Sequence, residues 1–294
     1  MKKIKAIWEL MRLEHGVMLA LGILVGSLIA QQGQLPDFAK FIFTFFTALF
    51  LEASTFALND YYDVEIDRKN NRTDRPLVRG DLSLKTPLYI FFICFPLGIL
   101  CSYLVNIPCF VIALITAIFA IFYDMILKKI KLLGNFFIAY VMAIPFVFGA
   151  AAVMNNNGLA FPPAIWIIAL IAFLTGAGRE IMKDVMDFKG DSERGVKSFP
   201  RYIGVRKSNI VSALFYFFAV VMSFIPFLFF GYGMYYQNYY YLFIILVTDV
   251  MLLWTILALL KTKEINMKFH RRFTLVAIFI GLLGFLIPIF IMVK

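Results

Sequence analysis

The amino-acid sequence predicts an all-α membrane protein with nine transmembrane helices. Of its 294 residues, 62% are hydrophobic and only 16% are charged, which is too little charge to cover the surface of a soluble domain. Nine apolar stretches are long enough to cross a bilayer, and no polar stretch between them is long enough for a separate soluble domain. We therefore expect residues 1–294 to form a single membrane domain.

A helix needs about 20 mostly apolar residues to cross the hydrocarbon core of a bilayer. Three of the stretches contain a proline, at Pro145, Pro226 and Pro288, and neighbouring helices allow this in a membrane bundle. The predicted spans are residues 13–31, 38–58, 88–106, 108–127, 135–154, 163–182, 209–230, 240–260 and 271–293.

Residues 3–12 precede the first span and predict a short amphipathic helix along the membrane interface. Ile4, Ile7, Trp8 and Met11 follow the i, i+3, i+4, i+7 spacing of one helix face. The basic start of the chain resembles a signal peptide, but charged residues interrupt it and similar apolar runs follow along the whole chain. We therefore expect the first helix to be retained.

The links between the spans alternate between nearly uncharged and strongly basic. Because Lys and Arg mark the cytoplasmic side of a membrane protein, this alternation predicts a cytoplasmic N-terminus and an outer C-terminus. All of the 28 basic residues except Lys40 and Lys294 then lie at the cytoplasmic side. The net charge of +10 thus reflects membrane topology, and we expect no nucleic-acid partner. Six tyrosines are expected at the outer interface: Tyr232, Tyr235, Tyr236, Tyr239, Tyr240 and Tyr241.

Two cytoplasmic links, residues 59–87 and 183–208, are longer than the others and carry nearly all the inner acidic residues. If the second span continues as a helix, Asn59, Asp63 and Asp67 share one face. Carboxylates spaced by four residues repel one another, so a helix gains nothing from this pattern unless a cation offsets it. The same segment also contains Asp60, Arg72 and Arg75.

The second link repeats this pattern of acidic residues. Asp187 and Asp191 are spaced by four, Asp184 precedes them by three, and Lys183 stands immediately before Asp184. Each ionised carboxylate costs roughly 2.5–3.5 kcal/mol at the centre of a bilayer, so both groups belong at the inner interface or in a hydrated cavity. Oxygen ligands favour Mg²⁺, which commonly bridges carboxylates to phosphates, and the nearby basic residues supply phosphate donors. The residues therefore indicate a Mg²⁺–diphosphate site for a lipid substrate.

The sequence resembles the UbiA-type intramembrane prenyltransferases over nearly its whole length. The first motif of that family is matched by Asn59-Asp60-x-x-Asp63-x-x-x-Asp67, which is followed by Arg75-Pro76-Leu77. The second motif is matched by Lys183-Asp184-x-x-Asp187-x-x-Gly190-Asp191. Within this family, the sequence is most similar to the archaeal enzymes that alkylate geranylgeranylglyceryl phosphate. The segments that carry this similarity include Arg179-Glu180-Ile181-x-Lys183-Asp184 and Gly195-Val196-Lys197-Ser198.

This resemblance implies nine helices around a central cavity, capped by two cytoplasmic loops. It also implies Mg²⁺-dependent transfer of a geranylgeranyl group from geranylgeranyl diphosphate to the hydroxyl of geranylgeranylglyceryl phosphate. The partners would be these two lipids and the surrounding membrane lipids, with no obligate protein partner. The implied Mg²⁺ ligands are Asn59, Asp63, Asp187 and Asp191, of which the three aspartates are catalytic. The implied substrate-binding residues are Asp60, Asp67, Arg72, Arg75, Lys128, Lys183 and Asp184.

Other interpretations remain open at this stage. An aromatic acid or quinone precursor could be the acceptor, since the motifs bind the diphosphate that all these enzymes share. A cation channel or transporter would need carboxylates distributed through the membrane, whereas most of them lie in two links. Asp249 lies in the middle of a span and either lines a cavity or is a buried structural group. Asp124 and Glu52 lie close enough to the motifs to support them.

Overall fold

Helices are the only regular secondary structure in the residues that the structure describes, which confirms the predicted all-α class. The computed structural model describes the chain apart from residues 1, 14–15, 70–71, 126–129, 155–160, 194, 262–264 and 293–294.

The helices follow one another with short connections. They are α1 (Lys2–Met11), α2 (Gly16–Ala30), α3 (Phe38–Lys69), α4 (Pro76–Arg79), α5 (Thr86–Val105), α6 (Ile107–Met125), α7 (Lys131–Val153), α8 (Pro163–Glu193), α9 (Phe199–Ile203), α10 (Val205–Ser223), α11 (Ile225–Leu228), a 3₁₀ helix (Phe230–Tyr235), α12 (Tyr239–Lys261) and α13 (Met267–Met292).

Within the described residues, eight spans are long and apolar enough to cross a membrane, with α10 and α11 counted as one. The pair α1 and α2, bent by 43°, makes a ninth candidate. α2 has 15 residues and is about 22 Å long, which is less than the roughly 30 Å of the hydrocarbon core. The described helix within the predicted span 13–31 therefore reaches the required length together with α1. The chain is a multi-pass membrane protein, as predicted.

α3 and α8 are the longest helices, with 32 and 31 residues, or about 48 and 46 Å. Each continues eleven residues past its predicted end at 58 or 182, so both acidic motifs lie on helices and not in loops. The first eleven residues of each predicted link, 59–87 and 183–208, are therefore helical, as the placing of Asn59, Asp63 and Asp67 on one helix face requires. The helices end nearer Pro76 and Gly195, which has a φ of 72°.

The helices form two compact units, and the first comprises residues 1–24, 36–126 and 151–159. In it, α3 packs against α1, α5 and α6. A small core of Leu10, Ala57, Val64 and Leu77 lies beside the first acidic motif. This core joins α1 and α4 to the charged end of α3, so the motif is held on a packed helix end.

α1 is amphipathic in the predicted sense. Leu10 and Ala6 are buried, whereas Ile4, Ile7 and Trp8 of the predicted apolar stripe are exposed. Since the buried face already packs within the protein, the exposed stripe is left for the membrane interface.

The second unit comprises residues 25–35, 127–150 and 160–294, and its helices approach each other through small residues. A side chain at Gly26 would place its Cβ 2.0 Å from the carbonyl oxygen of Phe146. Ser212 Oγ of α10 donates a hydrogen bond of 2.7 Å to the carbonyl of Gly178 on α8. The first contact joins α2 to α7, and the second fixes α8 against α10 just before its charged end. The single-domain expectation stays a prediction.

The tyrosine group divides between interface and core. Tyr239 and Tyr240 are exposed, as expected for interfacial residues, but Tyr235 and Tyr241 are fully buried. Their hydroxyls donate to the carbonyls of Phe285 and Ser223, both within the second unit. These two rings are therefore buried in the protein, because a hydroxyl with an internal acceptor can be buried. The position of the six tyrosines at the outer interface stays a prediction.

Candidate active site

Asp60 of the first motif is held by two arginines. Its side chain is 3% exposed, and it accepts hydrogen bonds from Arg12 Nη2 at 3.0 Å and Arg75 Nη1 at 3.2 Å. Arg75 Nε also lies 3.8 Å from Asp67 Oδ2, and the Arg12 guanidinium lies 4.1 Å from the centroid of the Phe56 ring. The two buried carboxylates of this motif are thus neutralised by the protein's own arginines.

Arg12 has a positive φ of 51°, which costs a non-glycine residue about 1–2 kcal/mol. The ion pair with Asp60 and the stacking on Phe56 hold it there. These two contacts therefore offset the backbone strain and fix the Arg12 side chain beside the first motif.

Asn59 is oriented by Asp124, the residue that the sequence left without a definite role. Asn59 Nδ2 donates a hydrogen bond of 2.7 Å to Asp124 Oδ1, and Asp124 is buried on α6. With Nδ2 used as a donor, Oδ1 is the atom of Asn59 that could ligate a cation. Asp63, half-buried one turn further along α3, supplies a carboxylate on the same face.

The segment after α3 is ordered by exposed ion pairs. Arg72 Nε and Nη2 each donate to a different oxygen of Asp74 at 2.8 Å, and this bidentate contact lowers the pKa of Asp74 to about 2. Arg79 pairs with Asp81 at 2.7 Å and also with Glu9 of α1. Arg72, predicted to bind substrate, is therefore already engaged, and its predicted role requires this pair to open.

The second motif lies on the last turns of α8 and is organised by α7. Asp191, 2% exposed, lies 2.5 Å from Lys131 Nζ, and Asp184 Oδ1 lies 3.6 Å from the same nitrogen. Asn135 Nδ2 donates to Asp184 Oδ2 at 2.8 Å. Lys131 thus bridges two carboxylates of the motif, and the amide of Asn135 fixes the side chain of Asp184.

Asp187 differs from its neighbours on α8. It is half-buried, and no hydrogen bond or ion pair links it to another residue in the described part of the chain, although the charge of Lys131 acts on it. A carboxylate in this position is suited to bind a cation from solution.

A second charged group, Arg179, Glu180 and Lys183, lies one to two turns earlier on α8. Glu180 Oε2 accepts from Lys183 Nζ at 3.2 Å, and Glu180 Oε1 lies 3.5 Å from Arg179 Nη1. Lys183, predicted to bind substrate, therefore shares a carboxylate with Arg179.

The described residues contain no group of three His, Cys, Asp or Glu side chains arranged to hold a metal ion alone. Mg²⁺ does not need such a cage, because it is commonly held by one or two carboxylates together with substrate phosphates and water. Within the first motif, Asn59 and the half-buried Asp63 have the oxygen donors for this binding mode. Within the second motif, the half-buried Asp187 has them too, whereas Asp191 could serve only if its pair with Lys131 opens.

Residues 19–275 match the UbiA prenyltransferase family, and this range includes both acidic motifs. The chain belongs to this family. It is therefore a membrane-bound prenyltransferase, as the resemblance of the motifs implied.

Individual UbiA relatives resemble the chain over nearly its full length. Digeranylgeranylglyceryl phosphate synthase of Archaeoglobus fulgidus is 41% identical over 283 residues, which cover 96% of this chain and 94% of the relative. A solved structure described as digeranylgeranylglyceryl phosphate synthase in membranes has a TM-score of 0.80 and 31% identity, and covers 98% of this chain and 99% of that one. A UbiA homologue from Archaeoglobus fulgidus bound to DMAPP and Mg²⁺ has a TM-score of 0.64 and 16% identity, covering 96% of this chain and 98% of that one; this last likeness concerns the fold alone.

The structure brings the predicted residues of this UbiA chain together within each motif. Asn59, Asp60, Asp63, Asp67, Arg72 and Arg75 gather at the end of α3, and Lys183, Asp184, Asp187 and Asp191 at the end of α8. Lys128 lies outside the described residues.

Sequence reasoning missed the partners of the motifs: Arg12, Lys131 and Asn135. Lys131 and Asn135 are spaced by four on one face of α7, which is the only signal that could have suggested a joint role. Lys131 was interpreted only as one of the basic residues that mark the membrane orientation.

Proposed function

We propose that this chain catalyses Mg²⁺-dependent transfer of a geranylgeranyl group from geranylgeranyl diphosphate to the hydroxyl of geranylgeranylglyceryl phosphate. The observation that carries the proposal is the 41% identity to digeranylgeranylglyceryl phosphate synthase across 96% of the chain. The two acidic motifs support it, because each presents a half-buried carboxylate beside basic side chains at the end of a long membrane helix.

The donor diphosphate is bound with the help of both motifs. Asn59, Asp63, Asp187 and Asp191 would hold Mg²⁺, and a UbiA homologue was solved with DMAPP and Mg²⁺. When bound, Mg²⁺ offsets the charge of the diphosphate and makes it a better leaving group. Arg75 is a candidate contact for the phosphate oxygens of the donor through charge-assisted hydrogen bonds, and Lys183 is a candidate contact for the phosphate of the acceptor.

The reaction breaks one carbon–oxygen bond and forms another. The bond between the allylic carbon and the diphosphate breaks, and its electron pair leaves with the diphosphate. The acceptor hydroxyl attacks the allylic carbon to form an ether, and its proton passes to a carboxylate, water or the released diphosphate. The protein positions both lipids and keeps water from the reactive carbon.

The motifs face the cytoplasm in this proposal, with the N-terminus inside and the C-terminus outside. The concentration of basic residues beside the motifs supports this orientation. A reporter that fluoresces only in the cytoplasm, fused to either end of the full chain in bacterial cells, tests it. Signal from the N-terminal fusion alone is expected, and the reverse pattern would contradict the orientation.

The decisive experiment supplies the purified protein with geranylgeranyl diphosphate, Mg²⁺ and a panel of acceptors. Transfer to geranylgeranylglyceryl phosphate is expected, and it should be lost in Asp63→Ala and in Asp187→Ala. Transfer only to an aromatic acid or quinone precursor would reject the proposed acceptor. Mg²⁺-independent cation flux in liposomes without any prenyl transfer would reject the reaction altogether.

A further inference from the structure

α8 carries a line of charged side chains that begins well before the second motif. Arg179, Lys183, Asp187 and Asp191 follow one another at intervals of four residues, so each is a neighbour of the next on the helix surface. The first two are cations and the last two are carboxylates. Lys183 precedes Asp187 by one turn, an axial distance of about 6 Å.

The cationic half of this line has donors that the protein does not fully use. The Arg179 side chain is 16% exposed, and its buried Nε has no hydrogen-bond acceptor among the described residues. Its contact with Glu180 is 3.5 Å long. Lys183, 36% exposed, contacts the other oxygen of the same carboxylate at 3.2 Å. One carboxylate thus serves two cations, which leaves an excess of one positive charge in this group.

Arg179 is the first charged residue of α8, after sixteen uncharged residues from Pro163. It therefore stands where the apolar part of the helix meets its charged end. Basic groups at this place on membrane helices are suited to bind lipid phosphates. The planar fork of a guanidinium and the point charge of an ammonium, one turn apart, suit a ligand with several anionic oxygens.

We propose that Arg179 and Lys183 bind the phosphate of the lipid acceptor, with Glu180 holding the two cations together until the ligand arrives. The proposal rests on the proposed function and deepens it. In geranylgeranylglyceryl phosphate the phosphate and the attacking hydroxyl are on one glycerol unit, separated by a few bonds. A phosphate held one turn from Asp187 therefore leaves the hydroxyl within reach of a donor bound at the second motif.

The test measures lipid binding and not turnover, so that it stands apart from the reaction. The full-length protein in detergent is titrated calorimetrically with geranylgeranylglyceryl phosphate, with geranylgeranylglycerol, and with geranylgeranyl diphosphate. The wild type should prefer the phosphate-bearing acceptor over the alcohol. Arg179→Gln should reduce this preference by about 10- to 100-fold, as expected for lost charge-assisted hydrogen bonds, while Arg179→Lys should restore part of it.

Two further variants separate a phosphate site from a structural ion pair. Glu180→Gln removes the carboxylate that competes for both cations, so acceptor affinity should rise several-fold or at least be kept. A merely structural group would instead be damaged by loss of either partner. Arg206→Gln, at an exposed position of α10, is the matched control and should bind all three lipids like the wild type.

Each outcome decides the matter. Equal wild-type affinities for the two acceptor lipids overturn the proposal, as does an Arg179→Gln variant that keeps the preference. If Arg179→Gln weakens the binding of geranylgeranyl diphosphate alone, Arg179 and Lys183 belong to the donor site, which also overturns the proposal. If Arg179→Gln does not fold, the wild-type comparison and the opposite effect of Glu180→Gln still decide. A wild type that binds the phosphate lipid in preference but never alkylates it would contradict the proposed function while supporting this site.

Discussion

Replacing Lys131 with methionine removes the cation that bridges Asp184 and Asp191. The cost of losing one partner of a fully buried ion pair is about 3–5 kcal/mol, whereas an exposed pair contributes less than about 1 kcal/mol. Lys131 is 27% exposed while both carboxylates are almost completely buried, so we expect a loss of about 2–3 kcal/mol, between these limits. In detergent without Mg²⁺ the melting temperature should fall by about 3–5 °C, since the unfolding entropy of a chain of this length is about 0.6 kcal/mol/K.

The same variant tests whether a divalent cation takes the place of the lysine. Since a ligand of the folded state stabilises it in proportion to its binding, Mg²⁺ should raise the melting temperature of Lys131→Met by several degrees more than that of the wild type. Lys197→Met, at an exposed position after α8, is the control and should behave as the wild type in both conditions. Unchanged stability of Lys131→Met, or an equal response to Mg²⁺, would refute the reasoning.

Three further predictions follow from burial and contacts. Asp60→Ala should lower stability by about 2–3 kcal/mol because it leaves two half-buried arginines without their shared carboxylate. Asp63→Ala should abolish transfer without this loss, as thermal melts and product assays would show. Gly26→Ala should cost about 3 kcal/mol, since its Cβ would overlap a backbone carbonyl of α7, whereas Gly231→Ala, in open space, should be neutral by the same melt. Asp249→Asn should keep both stability and turnover because an amide oxygen can still accept the bond from Ser223; loss of turnover would indicate a substrate contact instead.

The sequence predicts the spans well because each helix satisfies its own backbone hydrogen bonds. A stretch of about 20 apolar residues is therefore enough to identify one. The apolar pattern does not give the ends of α3 and α8, because it reports where the lipid ends and not where the helix ends. The largely polar residues from Asn59 to Lys69 continue α3 as a helix.

The partners of the motif carboxylates could not be predicted, since they come from other helices. The spacing of Asp184, Asp187 and Asp191 is visible along one helix, but Lys131 lies more than fifty residues earlier on α7. Nothing in its neighbourhood distinguishes it from the basic residues that mark the membrane orientation. Arg12 is missed in the same way, because its link to Asp60 spans 48 residues.

The two motifs use corresponding aspartates in corresponding ways. Asp60 and Asp184 each stand three residues before Asp63 and Asp187. The earlier aspartate of each motif is buried and bound by permanent partners, two arginines in one case and a lysine with an amide in the other. Losing those partners would leave a buried charge uncompensated, which costs several kcal/mol. Asp191 is equally buried on Lys131, so it would bind Mg²⁺ only where the cation takes the place of the lysine. The later aspartate of each motif is half-buried and accessible to a cation. We therefore expect the earlier aspartate to position the helix end and the later one to bind the cation. A stability loss in Asp60→Ala with an activity loss alone in Asp63→Ala is the pattern that this division requires.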